Sequence, residues 1–349
     1  MTQKDFREIS SSYSDRGEDV NIAIGLRPSG IIHLGNMATL SLAGVLGQDI
    51  GPHLSKVNLT VCDLDLPDAA DWSIKENGYV RYFNSLPDKT GEYNSLYDKS
   101  IARIEEFTEG LQNHLDVSYD IKKLSDVQKD LGFRVGLRRV LEREGIMQYV
   151  LRRVPKEHSL VFPLCNDCGT SSPFPAKYNE GNLKTQCTNP ECSVKDYEMD
   201  VLDTDNDLAV HFFIDPLRDK TVKPYADVHV FGGDYREPHD AGPRPNNEQF
   251  DLFETREDGK VSKIEKIMSI VNIATEGNLP DILIGPTFFA RDGTKMSKSK
   301  NNGLSIDHLK NHFGEDYSKR IADFMSYVSK EDLKVLDYRT IERELFNKK

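Results

Sequence analysis

The sequence lacks any run of about 18 apolar residues, which excludes a membrane-spanning helix. Residues 1–19 carry scattered charges and no apolar stretch, so we do not expect a secretory signal. Basic residues are outnumbered by acidic ones, 45 lysines and arginines against 57 aspartates and glutamates, which gives a net charge of −12. That balance argues against a protein held on nucleic acid by its overall charge, although a local basic surface could still bind RNA. We expect a cytoplasmic globular protein.

Cysteine is scarce and unevenly distributed. Cys62 stands alone, and we expect it to pack as a small buried hydrophobic residue. The remaining cysteines form two pairs separated by 18 residues, namely Cys165 with Cys168 and Cys187 with Cys192. In a chain without a secretory signal, such pairs favour a metal site over disulfides. Four thiolates can close a tetrahedral structural zinc site, and iron–sulfur ligation is the alternative.

The first part of the chain predicts a βαβ unit. Residues 21–25 (NIAIG) indicate a short buried strand, and small and apolar residues at helical spacing run from about Leu34 to a stop at Gly51-Pro52. Residues 56–63 (KVNLTVCD) indicate a second buried strand. A strand, a helix and a strand within about 40 residues favour a parallel sheet, and hence an α/β fold of the Rossmann type.

The sheet is predicted to consist of two halves with other material between them. Residues 100–152 are expected to be mainly helical, strands return at residues 227–231 and 281–285, and the chain is helical from Leu304 onward. The expected division is a lead-in (1–19), a first Rossmann half (20–99), an inserted helical region (100–158), a zinc ribbon (159–204), a second Rossmann half with the KMSKS loop (205–303) and a C-terminal helical segment (304–349).

The first candidate phosphate-binding segment is PSGIIHLGN, residues 28–36, which follows a predicted strand and opens a helix. Such a turn presents unpaired backbone N–H groups and a helix N-terminus to an anion. Gly35 allows a flat ring or a sugar to approach the backbone closely. His33 and Asn36 lie three residues apart on one side of the first turn, so both can donate hydrogen bonds to phosphate oxygens. The alternative is an ordinary helix cap.

The second candidate is KMSKS, residues 295–299, which is flanked by glycine-bearing segments. Lys295 and Lys298 on such a loop could swing over a triphosphate and neutralise its charge. A solvated basic loop is the alternative. The two motifs fall in the two predicted halves of one sheet, and this conjunction favours a shared nucleotide site.

Together the two segments resemble the signatures of class I aminoacyl-tRNA synthetases. PSGIIHLGN is similar to the HIGH signature, and KMSKS matches the second signature letter for letter. The resemblance implies that an amino-acid carboxylate attacks the α-phosphate of ATP, with Mg²⁺, and that the acyl group then passes to a tRNA 3′ end. It implies ATP contacts at Gly25, His33, Gly35, Asn36, Lys295, Ser297 and Lys298. It implies catalytic roles for His33, Asn36, Lys295 and Lys298, which would hold the phosphates and the leaving pyrophosphate.

Within class I, residues 20–325 most resemble class I lysyl-tRNA synthetase. The similarity lies in GLRPSGIIHLGN, in the ribbon between the Rossmann halves and in VFGGDYREPHD before KMSKS. Lysine-tRNA ligase is therefore the expected activity, with glutamyl enzymes as the alternative. That family usually has serine at the position of Lys298 and carries a large helical anticodon-binding domain, whereas 50 residues follow Ser299 here. We expect tRNA binding through the acceptor end alone or through a separate protein.

A lysine substrate requires a carboxylate for its ε-ammonium, because burying an unpaired charge is costly. The candidates are Asp63 and Asp65 beyond the second strand and Asp234 beyond the glycine pair, with Tyr235 and His239 lining the same pocket. The alternative for each carboxylate is a surface or capping role.

A basic run in the inserted region could contact a tRNA acceptor stem. Its members are Arg138, Arg139, Arg152 and Arg153. The alternative is a solvated helix face paired with Glu142 and Glu144.

Three functions are compatible with the sequence. The first is a compact lysyl-tRNA synthetase-like enzyme, and the second is a stand-alone ligase that passes its aminoacyl adenylate to another acceptor. The third is a non-catalytic regulator or RNA-binding relative, against which the intact His33, Asn36, Lys295 and Lys298 argue. The oligomeric state is not indicated.

Overall fold

The centre of the molecule is a parallel β-sheet with helices on both faces. The computed structural model describes residues 4–27, 32–64, 79–88, 90–143, 145–150, 159–240, 260–296 and 303–347, with the backbone alone at positions 148, 238–240 and 260. The sheet consists of β1 (Val20–Leu26), β2 (Ser55–Val61), β3 (Ser118–Lys123), β9 (Val228–Phe231) and β12 (Asp281–Ile284). Its strand order is β12-β9-β1-β2-β3, and every neighbouring pair is parallel. The fold is therefore α/β and Rossmann-like, as predicted.

Helices account for most of the remaining secondary structure in the described ranges. They are α1 (Phe6–Ser14), α2 (Leu34–Ile50), α3 (Leu96–Leu115), α4 (Leu124–Gln128), α5 (Leu131–Glu142), α6 (Ile146–Val150), α7 (Arg218–Thr221), α8 (Lys263–Thr275), α9 (Ile306–Phe313), α10 (Tyr317–Lys330) and α11 (Tyr338–Ile341). Short 3₁₀ turns occur at Phe83–Ser85, Asp215–Leu217, Gly233–Arg236 and Gly314–Asp316, and a π turn at Glu342–Phe346. None of the helices in these ranges is long and apolar enough to cross a membrane.

Smaller sheets lie outside the central one. The pairs are β4 (Val161–Pro163) with β8 (Leu208–Val210), β10 (Pro238–Asp240) with β11 (Lys260–Ser262), and β13 (Thr287–Phe288) with β14 (Val335–Leu336). A three-stranded antiparallel sheet consists of β5 (Lys177–Asn179), β6 (Asn182–Gln186) and β7 (Asp196–Asp200).

Helix α2 packs on the first face of the sheet. Nearly all of its residues are apolar or small, and it is buried on most sides, as expected of a helix enclosed by other elements. It contacts α1, α3 and α10. Ile22, Ile24 and Leu26 of β1 point into the same apolar core. This face therefore fixes where the N-terminus of α2 meets the carboxyl end of β1.

The second face of the sheet has its own core. It is built from α5, α8 and the 3₁₀ turn at Asp215–Leu217, packed against Phe231, Ile282 and Ile284 of the sheet. Because side chains alternate along a strand, the residues of β1 that face this side are Ala23 and Gly25. The second core thus closes the side of the crevice opposite α2.

The predicted strands at residues 21–25, 56–63, 227–231 and 281–285 are confirmed as β1, β2, β9 and β12. Helix α2, with its stop at Gly51, and the helix that Ser305 caps are confirmed as well. The described part of residues 100–152 is mainly helical, as expected, but it also contains the unpredicted strand β3, which pairs in parallel with β2. Its sequence, SYDIKK, is polar because this edge strand is largely exposed, so it carries no apolar run.

Candidate functional site

The strand order creates a crevice at the centre of the sheet. Chain order runs outward from β1 in both directions, through β2 and β3 on one side and through β9 and β12 on the other. In open α/β sheets, ligands bind outside the carboxyl ends of the strands at such a switch point. Here the switch lies between β1 and β9, so residues that follow these two strands are the first candidates for a site.

The turn around His33 lies beside this switch. His33 is the N-cap of α2, and its Nδ1 accepts a hydrogen bond from the backbone N–H of Gly35 at 3.0 Å. The Oδ1 of Asn36 accepts from the backbone N–H of His33 at 3.3 Å, which completes a capping box. Because Nδ1 accepts, the neutral imidazole carries its proton on Nε2, and Asn36 keeps its Nδ2 amide as a donor. Both side chains therefore turn their donor atoms away from the backbone.

Gly35 is required by the position of the imidazole. A Cβ atom at this residue would lie 2.8 Å from Cε1 of His33 and 3.0 Å from its Nδ1. Any larger residue would push the ring out of its capping position. The sequence prediction gave Gly35 a role beneath a nucleotide ring, and the close contact with His33 supplies a second reason for glycine.

Lys295 reaches the same edge of the sheet from the other half of the chain. It ends a short hairpin in which it bridges to Phe289, and the next residue donates its backbone N–H to Phe288 at 2.8 Å. Its Nζ forms an ion pair with Glu237, at the end of the turn that follows β9. The first lysine of the KMSKS segment is thereby held beside the carboxyl end of β9.

The segment after KMSKS contacts the His33 turn directly. The backbone N–H of Leu34 donates to Leu304 at 2.7 Å, and that of Ile306 donates to Ile32 at 3.0 Å. A Cβ at Gly303 would lie 3.4 Å from the Cβ of His33. The His33 turn therefore contacts Gly303–Ile306, the segment that follows KMSKS.

The first glycine of the pair that follows β9, Gly232, lies close to α2. Asp234 folds back so that its Oδ1 lies 2.9 Å from where a Cβ of Gly232 would be, and Thr39 of α2 lies 3.6 Å from the same point. The other oxygen of Asp234 pairs with Lys263 at 3.3 Å. Lys263 also lies 3.9 Å from Glu237, the partner of Lys295. A continuous charged network thus links the end of β9 to the KMSKS segment.

A second, more deeply buried polar cluster lies on the opposite face of β1. Gly25 is exposed although its neighbours Ile24 and Leu26 are buried. A Cβ at Gly25 would lie 2.7 Å from Nη2 of Arg218, which is buried. The guanidinium group of Arg218 therefore occupies the space that a side chain at Gly25 would need. Gly25 was predicted to contact the nucleotide, and its Cβ direction faces this cluster.

Arg27 and Asp215 form the entrance side of the cluster. The Nη2 and Nε atoms of Arg27 donate to Oδ2 of Asp215 at 2.7 and 3.1 Å, and Nη2 also donates to the carbonyl of Val210 at 3.1 Å. The guanidinium lies 5.9 Å from the ring centre of Phe212. This arginine is thus fixed by an ion pair, a carbonyl and an aromatic face.

Asp219 and His229 form the inner side. The carboxylate of Asp219 bonds to Nδ1 of His229, and both side chains are buried. Complete burial lowers the pKa of His229 below its ordinary value, although Asp219 opposes the shift. The His229 ring stacks on Phe231 at 3.7 Å, and Phe231 in turn contacts Tyr235 at 4.9 Å. Burial likewise raises the pKa of Tyr235, so its hydroxyl stays protonated.

The sequence missed five residues of this cluster, which are Arg27, Asp215, Arg218, Asp219 and His229. A usable signal existed in the segment HFFIDPLRD, residues 211–219. It places three charged residues within an otherwise apolar stretch, directly before a predicted strand. Charged residues are rarely fully buried unless they are paired, so a charge that folds inward with such an apolar stretch needs a partner. Tyr235, which was predicted to line the amino-acid pocket, does border this cluster.

The other predicted pocket residues have different environments. Asp63 accepts hydrogen bonds from the backbone N–H and the hydroxyl of Ser125 at 3.0 and 2.7 Å, so it caps α4. This is the capping role that the sequence left as its alternative. Residues outside the described ranges are Asp65, Arg152, Arg153, Ser297 and Lys298, and His239 is described by its backbone alone.

The basic run in α5 has mixed surroundings. Arg138 is exposed and pairs with Glu142 at 2.7 Å, the solvated arrangement that was the alternative to RNA contact. Arg139 donates to the carbonyl of Ala274 at 3.0 Å. Arg134, by contrast, is fully buried, and burial lowers its pKa to about 10. The run is therefore not a uniform surface stripe.

The four clustered cysteines converge on one point. Their Sγ atoms all lie within 4.8 Å of one another, with Cys165 and Cys192 at 3.6 Å and Cys168 and Cys187 at 3.5 Å. A tetrahedral ion with bonds of about 2.3 Å would hold its sulfur ligands about 3.8 Å apart. Gly169 adopts φ +67°, which lets the first knuckle turn close. All four thiols are free, so the residues present fit a metal ion.

No family model and no curated protein matches the chain. Two solved structures are similar to it. The crystal structure of tyrosyl-tRNA synthetase complexed with L-tyrosine from Archaeoglobus fulgidus is 14% identical over 87% of this chain and 68% of that chain, with a TM-score of 0.40. That of tyrosyl-tRNA synthetase from Aeropyrum pernix is 11% identical over 88% of this chain and 71% of that chain, with a TM-score of 0.43. Both scores are low, so these similarities determine neither the family of this chain nor its substrate.

Proposed function

We propose that the chain activates an amino acid with ATP, forming an aminoacyl adenylate and pyrophosphate in the crevice between β1 and β9. The observation that carries the proposal is the contact between the two motif-bearing segments. The backbone around His33 bonds to the segment that follows KMSKS, and Lys295 is tied to the end of β9 through Glu237. A nucleotide in the crevice would then have a helix N-terminus on one side and a lysine on the other.

The proposed reaction needs charge stabilisation more than covalent chemistry from the protein. A carboxylate oxygen of the amino acid bonds to the α-phosphorus of ATP, the bond to the bridging oxygen of the β-phosphate breaks, and pyrophosphate leaves. Nε2 of His33 and the amide of Asn36 would donate to phosphate oxygens. Lys295 would leave Glu237 and neutralise charge that develops on the leaving pyrophosphate, with Mg²⁺ bound to the phosphates.

Lysine is the amino acid that the resemblance to class I lysyl-tRNA synthetase implies, and tRNA is the implied acceptor. Of the carboxylates proposed for the ε-ammonium, Asp63 already caps α4 and Asp234 already pairs with Lys263. Lysine is therefore one of the twenty amino acids to be tested as the substrate. Transfer to tRNA and transfer to another acceptor share the same first step, so that step is the core of the proposal.

We further propose that the four-cysteine cluster holds a structural zinc ion. A closed set of four thiolates leaves no coordination position for a substrate, so the ion would stabilise the fold and take no part in activation. The acidic residue beside it, Asp167, accepts from the thiol of Cys192 at 3.1 Å. Metal binding requires the Cys192 thiolate, so this hydrogen bond would be lost when the ion binds.

The test is amino-acid-dependent exchange of labelled pyrophosphate into ATP, screened over the twenty amino acids with and without total tRNA. The informative variants are His33→Asn, which keeps a good helix cap but removes the imidazole donor, and Lys295→Met. Each should lower the exchange rate about 100- to 1000-fold, the usual loss when one preorganised donor is removed. A charging assay with the same tRNA then asks whether the acyl group reaches a 3′ end.

Matched controls are available for both variants. His53→Asn changes an exposed histidine just beyond the other end of α2, and Lys310→Met removes a lysine that also pairs with a glutamate, Glu106. Both controls should retain wild-type exchange. Exchange that survives in His33→Asn and Lys295→Met, or its absence with every amino acid in the wild-type chain, contradicts the proposal.

A further inference from the structure

We infer that Arg218 determines the amino-acid specificity of the crevice by binding an oxygen acceptor at the end of the substrate side chain. The inference rests on the proposed function and adds to it a residue and a substrate class. Amino acids of this class carry a side-chain carboxylate or carboxamide. Lysine, whose side chain ends in a donor, does not belong to it.

The first step is the position of Arg218 relative to the crevice. Gly25 lies one residue before the end of β1, at the switch point, and it is exposed in an otherwise buried strand. Its missing side chain leaves room for Nη2 of Arg218, which lies 2.7 Å from the ideal Cβ position. Nη2 of Arg218 is itself buried and lies directly behind Gly25, whose backbone is exposed.

The second step is the hydrogen bonding of the guanidinium. Its Nη1 donates to the carbonyl of Asp215 at 2.7 Å, and its Nε lies 3.6 Å from Oδ1 of Asp219. Within the described residues, Nη2 has no hydrogen-bond partner, although the side chain is only 5% exposed. Leaving a buried donor without a partner destabilises the fold, because the donor has lost its hydrogen bonds to water. A ligand oxygen at this point would remove that penalty.

The third step concerns the charged groups near the guanidinium group of Arg218. The nearby carboxylates already have cationic or imidazole partners, since Asp215 pairs with Arg27 and Asp219 bonds to His229. An ammonium group placed against Nη2 would meet a donor that has no lone pair to offer. A carboxylate or carboxamide oxygen would instead complete the hydrogen bonding of Arg218.

The fourth step is the wall of the space. His229 stacks on Phe231, and Tyr235 is tilted at 52° to Phe231, so the three rings form an aromatic row on the β9 side. Such a row can pack against the methylene groups of a short side chain, while Arg218 meets its polar end. One polar anchor within an aromatic wall is a common arrangement in small-molecule sites.

The experiment extends the pyrophosphate-exchange screen to Arg218→Lys and Arg218→Met, with total tRNA present throughout. The wild-type chain should give its signal with glutamate, aspartate, glutamine or asparagine. Arg218→Lys, which keeps the charge but loses the forked donor, should raise the KM for that amino acid about 10- to 100-fold. The KM for ATP should stay unchanged. Arg343→Lys, which changes an exposed arginine paired with Glu344, is the matched control and should leave both KM values unchanged.

The outcomes separate this inference from the proposed function. A signal with the acids identifies the carboxylate, and a signal with the amides identifies the carboxamide. Exchange with lysine or with an apolar amino acid overturns the role of Arg218 but keeps amino-acid activation. An amino-acid KM that is unchanged in Arg218→Lys also overturns it, provided that thermal melting shows a folded protein. If Arg218→Met does not fold, the wild-type screen and the lysine variant still decide. If the wild-type chain shows no exchange with any of the twenty amino acids, the proposed function itself is contradicted.

Discussion

At the scale of the residue, the imidazole of His33 has two nitrogens with different tasks. Nδ1 accepts from the backbone of Gly35 and so begins α2. That bond fixes the tautomer, and Nε2 becomes the donor. A histidine can therefore cap a helix while offering a proton-bearing nitrogen to a phosphate, which an aspartate or serine cap cannot do.

We expect Gly35→Ala to separate activity from stability. The added methyl group would lie 2.8 Å from Cε1 of His33 and would move the ring from its position. A displacement of about 1 Å commonly lowers a reaction rate 10- to 100-fold, so pyrophosphate exchange should fall by about that factor. The free energy of unfolding should change by less than about 1 kcal/mol, because alanine favours a helix more than glycine does. Wild-type exchange in this variant would contradict the role of the ring.

His229 should make the stability of the protein depend on pH below neutrality. Burial lowers its pKa beneath the ordinary 6.5; of the two charged groups that face it, Asp219 raises the pKa and Arg218 lowers it. Between the lowered value and 6.5, the unfolded chain therefore binds more protons than the folded one. The free energy of unfolding should fall as pH falls through this window, by up to about 1.4 kcal/mol per pH unit.

Urea unfolding between pH 7 and pH 5 would measure this dependence. His229→Gln should have a smaller slope than the wild-type chain, whereas His53→Gln, which changes an exposed histidine, should keep the wild-type slope. Equal slopes in all three proteins would show that His229 is not the responsible group.

Site residues that belong to a short sequence motif could be predicted. Site residues whose partners lie far away in the sequence could not. His33, Asn36 and Lys295 belong to short motifs whose chemistry depends on adjacent residues. Arg218 reaches Gly25 only because the segment before β9 folds back across β1, about 190 positions away in sequence. Asp63 was assigned to a substrate because nothing near it in the sequence indicates that Ser125 is its partner.

At the scale of the element, apolar strands and the capped helix were predictable because burial leaves a pattern in the sequence. The strands β1, β2, β9 and β12 are apolar runs that end in glycine, aspartate or cysteine. The edge strand β3 has no such pattern, since it is held on β2 by backbone hydrogen bonds and by the ion pair of Lys56 with Asp120. The three-stranded sheet β5–β7 was predictable as a unit from its cysteines, which reveal the site but not the strand bounds.

Removing a ribbon cysteine should release the metal ion and destabilise the ribbon. We expect about one zinc ion per wild-type chain and a clear loss of zinc in Cys187→Ser, because three remaining thiolates bind the ion more weakly. The matched control is Cys62→Ala, which changes a buried cysteine outside the cluster. It should retain the ion. Elemental analysis of purified proteins measures the difference, and full zinc occupancy in Cys187→Ser would contradict the assignment.

At the scale of the whole molecule, the C-terminal helices belong to the first Rossmann half. The sequence predicted a C-terminal helical segment over residues 304–349, and α10 of this segment packs on α2 and α3. Phe107 of α3 and Tyr317 of α10 lie 5.6 Å apart by ring centre. Local periodicity predicted the helices but could not reveal which surface they cover, because that depends on contacts more than 200 residues apart in sequence.

This arrangement predicts that a change far from the crevice should lower both stability and activity. Phe324 of α10 is 2% exposed within the core that supports α2. Phe324→Ala should reduce the free energy of unfolding by about 3–5 kcal/mol, because it leaves a cavity beside that helix. Phe174→Ala in the ribbon, where the ring is 66% exposed, is the matched control and should change it by less than about 0.5 kcal/mol.

Removing all of the C-terminal helices should have a larger effect than the single substitution in α10. A chain that ends at residue 303 keeps both motifs but loses the apolar cover of α2, so we expect it to show no cooperative thermal transition and no pyrophosphate exchange. Because α2 carries His33 at its first turn, exposing the apolar side of that helix would loosen the turn that faces the nucleotide. If the shortened chain melts cooperatively and retains exchange, the C-terminal helices are an accessory to the fold, and the core beneath His33 is complete without them.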